Sequence, residues 1–156
     1  KIQFIKNLFL IKDRKTVMNK TYGSCLCGGV SFELKGKLRP VIYCHCGQCR
    51  KTHGHFAAYT AVTRDRIEWK TQKSLNWFDS SASARRGFCC ICGSSLFYEL
   101  KNGNKLSVSA GVLDKPTHLY ASGHIFFSDR SDYYEALDKL PRFDQESRHG
   151  FSSWES

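Results

Sequence analysis

The segment Gly23-Ser24-Cys25-Leu26-Cys27-Gly28-Gly29-Val30 decides the fold, because its paired thiols recur in Cys44-His45-Cys46-Gly47-Gln48-Cys49 and in Cys89-Cys90-Ile91-Cys92-Gly93. Two cysteines one or two residues apart can grip one ion, since the short turn aims both sulfurs at a point about 2.3 Å from each. With Cys90 set aside, the remaining thiols divide into four and three. A four-thiolate zinc site is closed and structural, whereas three thiolates leave one tetrahedral position for water or substrate. The pattern predicts one staple for the fold and one reactive centre.

Other uses of the same cysteines are weaker. A disulfide framework suits a small secreted domain, but 156 residues suffice for a core, no secretory leader is legible, and adjacent Cys89 and Cys90 pair poorly. An iron–sulfur cluster would use the same ligands, yet the ferredoxin spacings are absent. Two zinc ions per chain is the leading assignment. Thiols held this way imply a reducing compartment, so a cytoplasmic protein is expected.

Composition narrows the class further. A content of 41% hydrophobic and 13% aromatic residues, with only three prolines, suits one compact domain. No apolar run approaches the roughly 20 residues of a membrane span; Leu8-Phe9-Leu10-Ile11 is far too short. No membrane partner is expected. The net charge of +10 resembles a nucleic-acid footprint, but Lys1, Lys6, Lys12, Arg14 and Lys15 against Asp13 place a large part of it in residues 1–17. Thiolates around two zinc ions would reduce the remainder, so a basic groove is not required. Elsewhere Lys and Arg are scattered, except Arg50-Lys51 and Arg85-Arg86, each beside a cysteine group. Both pairs read equally as solvated surface and as anion-binding groups.

Met18 is the only methionine and stands seven residues before Cys25. Residues 1–17 are therefore expected to be an added extension or a disordered basic arm, 18–143 the zinc domain and 144–156 a C-terminal tail.

From Tyr22 onward, short strands punctuated by turns dominate. Val30–Leu34 alternates apolar and polar residues, as a half-buried strand does, and is followed by a turn at Lys35-Gly36-Lys37. Further strands are read at 40–43, 56–62, 67–69 and 75–78. Segments 94–98 and 105–109 flank Asn102-Gly103, the strongest hairpin signal in the chain. Short helices are expected after Cys46 and over Ser131–Leu137. The fold class is mainly β: an antiparallel domain with one or two short helices, in which metal ties distant turns together. Joining Cys25 and Cys27 to Cys89 and Cys92 would close a long loop. Gly93 would allow the tight turn behind Cys92, with Cys90 pointing the other way.

The motifs quoted above, together with Arg50-Lys51, Gly54 and Phe56, Arg86-Gly87-Phe88, Gly111, Leu113-Asp114, His124-Ile125-Phe126 and Ser128-Asp129-Arg130, resemble the glutathione-dependent formaldehyde-activating enzyme family, which also includes centromere protein V. The resemblance covers roughly residues 20–143. It implies a zinc-stapled β-tent fold, with Cys25, Cys27, Cys89 and Cys92 as the structural metal site and Cys44, Cys46 and Cys49 as the catalytic one. It also implies a carbon–sulfur lyase that joins glutathione, or a similar thiol, to formaldehyde or another small aldehyde. Zinc would hold the incoming thiol as its fourth ligand, because three anionic sulfurs blunt its Lewis acidity toward water. The chain departs from the family pattern at Cys90, an extra thiol, and at Tyr133, where tryptophan is common.

Around this centre, His45, His53 and His55 are candidate ligands or proton carriers, and Arg50 and Lys51 candidate partners for glutathione's carboxylates. His124 matches a family position, and reads equally as a hydrogen-bonded strand histidine. Two other classes of function are open: a non-catalytic zinc domain that binds glutathione or a protein, and a module that binds nucleic acid or chromatin through residues 1–17 and surface lysines. The oligomeric state is not legible.

Overall fold

The structure, a computed structural model, describes residues 20–145. The expectations for residues 1–17 and for the tail from residue 146 onward lie outside the described residues. In chain order the elements are β1 (Lys20–Ser24), β2 (Ser31–Lys35), β3 (Val41–Cys44), α1 (Gly47–His53), β4 (Ala57–Thr63) and β5 (Ile67–Thr71). They continue with β6 (Leu75–Asp79), β7 (Ala84–Cys89), β8 (Ser95–Leu100), β9 (Lys105–Ser109) and β10 (Ala121–Ile125). The strands form a three-stranded sheet, β1-β2-β5, and a seven-stranded sheet, β10-β3-β4-β9-β8-β7-β6. All pairs are antiparallel except β10 with β3, which is parallel. The mainly β, mostly antiparallel class read from the turn spacing is the class observed.

Local chemistry accounts for the hairpins. β8 and β9 pair across Asn102-Gly103, and the Gly103 N–H donates to the Leu100 carbonyl at 3.0 Å. β4 lies inside the larger sheet, and its run of small and β-branched residues is buried along most of its length. In β2 the alternation holds for Phe32 and Leu34, yet Glu33 is only 3% exposed. Lys20 at 2.8 Å and Lys70 at 3.3 Å, from the two flanking strands, close over its carboxylate and hold it below the usual carboxylate range, Lys20 first, against the opposing effect of burial.

Phe97 of β8 joins the two sheets. Its ring stands 5.1 Å from Phe32 and 5.3 Å from Trp69 in the small sheet, and 6.1 Å from Trp77 in the large one. Gly87 makes this approach possible: a β-carbon there would come within 3.0 Å of the Phe97 ring and 3.1 Å of Trp77. Cys25 and Cys89 are part of the same core, so the cysteine turns are anchored in apolar packing.

One expected element is absent. Ser131–Leu137 forms turns and irregular chain rather than a helix. The Ala136 and Asp138 carbonyls accept from Arg142, and the Tyr133 and Tyr134 hydroxyls bond to His55 and His45. Tertiary contacts thus claim groups that a helix this short could not hold by its own cooperativity.

Phe97→Ala is expected to destabilise the protein by about 3–5 kcal/mol in equilibrium denaturant unfolding. Phe78→Ala, at a ring 61% exposed, should cost no more than about 0.5 kcal/mol.

Candidate functional site

Two groups of thiols converge among the described residues. Cys25 and Cys27 lie in the turn between β1 and β2, Cys89 ends β7, and Cys92 sits in the turn before β8. All four Sγ atoms lie within 4.8 Å of one another. The Cys25–Cys27 and Cys27–Cys89 sulfur separations are both 3.6 Å. Sulfurs about 2.3 Å from a central ion form a tetrahedron with edges of about 3.8 Å, so the donors fit a four-thiolate metal site. The same spacing is far too long for disulfides, and every cysteine is free.

The backbone is arranged to receive these sulfurs. Gly28 and Gly93 take left-handed φ values of 75° and 74°, which lets each knuckle turn behind its second cysteine. The N–H of Val30 donates to Cys25 Sγ at 3.3 Å, and that of Cys92 to Cys89 Sγ at 3.4 Å. The Ser94 hydroxyl, 3.3 Å from Cys92 Sγ, leads in pulling that thiol down to about 5. Ser74, buried, places its hydroxyl 3.0 Å from Cys89 Sγ. Cys90 stands exposed, outside the four, with its N–H bonded to the Ser74 carbonyl.

The second group is Cys44, Cys46 and Cys49, whose sulfurs also lie within 4.8 Å of one another. Cys44 ends β3, Cys46 caps the N-terminus of α1, and Cys49 lies in its first turn, donating its N–H to Cys46 Sγ at 3.5 Å. Hydrogen bonds from Cys44 and Cys49 hold the Cys46 thiol down to about 2, against burial; bonds to Cys46 and Cys49, with burial, push Cys44 up. One charge is thus favoured at its neighbours' expense, as expected of clustered thiols. Three thiols in this geometry could hold a metal ion with a fourth position left over.

That group borders a cavity of about 550 Å³, a size suited to a small molecule. Ile42, Tyr59, Tyr98, Ile125 and Phe126 supply its apolar walls. Phe126 does so from a left-handed backbone, φ 52°, which is uncommon for a bulky residue. The cations at the cavity are Arg39 and Arg86; no carboxylate borders it among the described residues. Arg39 donates to the Tyr59 carbonyl at 3.0 Å. Arg86 is 8% exposed, and both its terminal nitrogens lie 3.8 Å from Cys49 Sγ. Burial opposes its charge, but the Cys49 and Tyr59 sites facing it prevail and raise its pKa.

The remaining candidates lie elsewhere. Arg50 bonds to Ser131 at 2.9 Å and Lys51 is exposed; neither borders the cavity. His45 is fully buried, with Nδ1 bonded to the Tyr134 hydroxyl and Nε2 at 2.8 Å from His124 Nδ1. Burial, then the neighbouring His124, holds its pKa down to about 4. His124, in β10, completes the string with Asp138 at 3.0 Å. His53 bonds to the Tyr59 hydroxyl at 2.9 Å, and His55 to Tyr133 at 2.8 Å.

Sequence reading missed Arg39, Tyr59 and Phe126 as cavity residues, and it did not separate Arg86 from Arg85. Strand alternation held a signal for that separation. Arg85 and Arg86 must point to opposite faces of β7: Arg85 stacks on Trp77 and pairs with Glu99, and Arg86 turns to Cys49.

The chain is similar to known proteins. A solved crystal structure of a Rhodobacter sphaeroides protein has a similar fold, with a TM-score of 0.51 at 18% identity, covering 78% of this chain and 98% of that one. A Schizosaccharomyces pombe protein named as an uncharacterized lyase is 24% identical over 123 residues, 78% of this chain and 88% of its own length. The profile of the glutathione-dependent formaldehyde-activating enzymes matches residues 20–129, a span that includes both cysteine groups and the cavity. On that match, the chain belongs to the glutathione-dependent formaldehyde-activating enzyme family.

Proposed function

We propose that the protein is a zinc-dependent carbon–sulfur lyase that combines glutathione, or a related thiol, with formaldehyde, or a related small aldehyde, to give the S-(hydroxymethyl) adduct, and that catalyses the reverse. The observation that carries this reading is the inequality of the two cysteine groups. Four sulfurs gather at one site on the edge of the core, two of them within it, and three border a cavity with arginines at its wall. Family membership and the lyase name of the yeast relative support it.

In this reading Cys25, Cys27, Cys89 and Cys92 hold the structural ion, and Cys44, Cys46 and Cys49 hold the catalytic one. Zinc at the second set would supply the positive charge that keeps a bound thiol in its nucleophilic thiolate form near neutral pH. The apolar walls confine thiol and aldehyde together, which removes much of the entropy cost of their meeting. Addition forms one C–S bond, moves the carbonyl pair onto oxygen, and returns the thiol's proton to that oxygen. Arg39 and Arg86 give the cavity a positive character suited to a substrate with carboxylates.

The wild-type protein is expected to carry two zinc ions per chain. Cys46→Ser should stay folded, keep one, and lose about 100-fold or more in adduct formation and cleavage. Activity surviving the loss of that ion would rule out the proposed centre. Cys92→Ser should remove the other ion and lower the thermal midpoint by about 10 °C or more, which differential scanning calorimetry would read.

A further inference from the structure

Arg86 links the two cysteine groups. It lies on β7, three residues before Cys89 of the four-thiol set, and its guanidinium reaches Cys49 of the three-thiol set. One terminal nitrogen also donates to Gln48 Oε1 at 3.1 Å, and the guanidinium carbon stands 5.1 Å over the Tyr98 ring. These contacts fix both the position and the tilt of the group. The β7 strand that carries it is held by β6 on one side and β8 on the other.

A buried guanidinium is costly unless an anion faces it, and a neutral thiol is a poor acceptor. No carboxylate borders the cavity among the described residues, so the cysteine sulfurs are the anions facing Arg86. Three thiolates around a divalent ion carry one net negative charge, and a fourth thiolate would make it two. A fixed cation 3.8 Å from one of those sulfurs offsets the net negative charge that a fourth thiolate adds to the cluster. Water or an aldehyde oxygen, being neutral, gains much less from the same neighbour.

We infer that Arg86 is a positioning residue whose fixed charge makes the three-cysteine centre selective for an anionic fourth ligand, a thiolate, over neutral oxygen ligands. The inference rests on reading that centre as a metal-bound three-thiolate site, and it gives the site's ligand preference a residue. It also separates two tasks a cavity arginine could perform: pairing with a substrate carboxylate, and compensating the charge on sulfur.

The test uses the full chain loaded with cobalt(II) in place of zinc and follows the thiolate-to-cobalt absorption during titration with two probes. One is 2-mercaptoethanol, which has no carboxylate; the other is glutathione. Arg86→Gln should retain both cobalt equivalents and bind 2-mercaptoethanol about 10- to 100-fold more weakly, the range for a lost hydrogen bond to a charged group. Arg86→Lys, which keeps the charge without the planar fork, should stay within about tenfold of wild type. Binding of 2-mercaptoethanol unchanged in Arg86→Gln, a loss confined to glutathione, or Arg86→Lys as weak as Arg86→Gln would each overturn the inference. Should Arg86→Gln not fold, Arg86→Lys decides by the same tenfold limit. A wild-type spectrum indifferent to both thiols would instead overturn the three-thiolate reading itself, and this inference with it.

Discussion

Sulfurs within 4.8 Å of one another cannot all ionise unless a cation lies among them, and this chain meets that constraint at two places. The first solution draws together Cys25 and Cys27 with Cys89 and Cys92, more than sixty residues later, and so holds the β1–β2 turn against the end of β7. Phe97 performs the matching apolar task beneath, with Phe32 and Trp69 on one side and Trp77 on the other. The thiol group and the aromatic contact together fix where β7 lies.

The second solution uses that placement. β7 brings Arg86 to Cys49, while β3 and the cap of α1 deliver Cys44 and Cys46 to the same point. Around α1, histidines and tyrosines form a further layer: His45 with Tyr134 and His124, and His53 with Tyr59. With its ring nitrogens engaged there, His45 sits between two cysteines of the site and leaves the sulfurs to face the cavity. The walls of that cavity come from β3, β4, β7, β8 and β9 and from the end of β10, so its shape depends on the register of the whole larger sheet.

Features governed by close neighbours along the chain are legible in the sequence itself. Close cysteine spacing, the glycine behind Cys92 and the Asn102-Gly103 turn each act within a few residues, and each takes the expected form. Features governed by distant partners are not legible in this way. The alternation in β2 implies an exposed Glu33, but lysines from β1 and β5 bury it. The Ser131–Leu137 pattern suggests a helix, but Arg142 takes up its Ala136 carbonyl, and His45 and His55 take up its tyrosines. Arg85 and Arg86 read together, as solvated surface or as anion-binding groups; a strand separates them to opposite faces, and only the sheet order shows which one meets a cysteine. Arg50 and Lys51 sit beside Cys49 in sequence, yet the helix turns them away from the cavity their neighbour borders.

The central claim is that one cysteine group is closed and the other has a position open to thiol. Cadmium-113 NMR of the cadmium-loaded protein tests it directly, because the chemical shift reports the number of sulfurs on each ion. The account predicts two resonances: one in the four-sulfur range that glutathione leaves in place, and one at lower sulfur coordination that moves toward the four-sulfur range as glutathione is added. A single resonance, or two that both ignore glutathione, would contradict it.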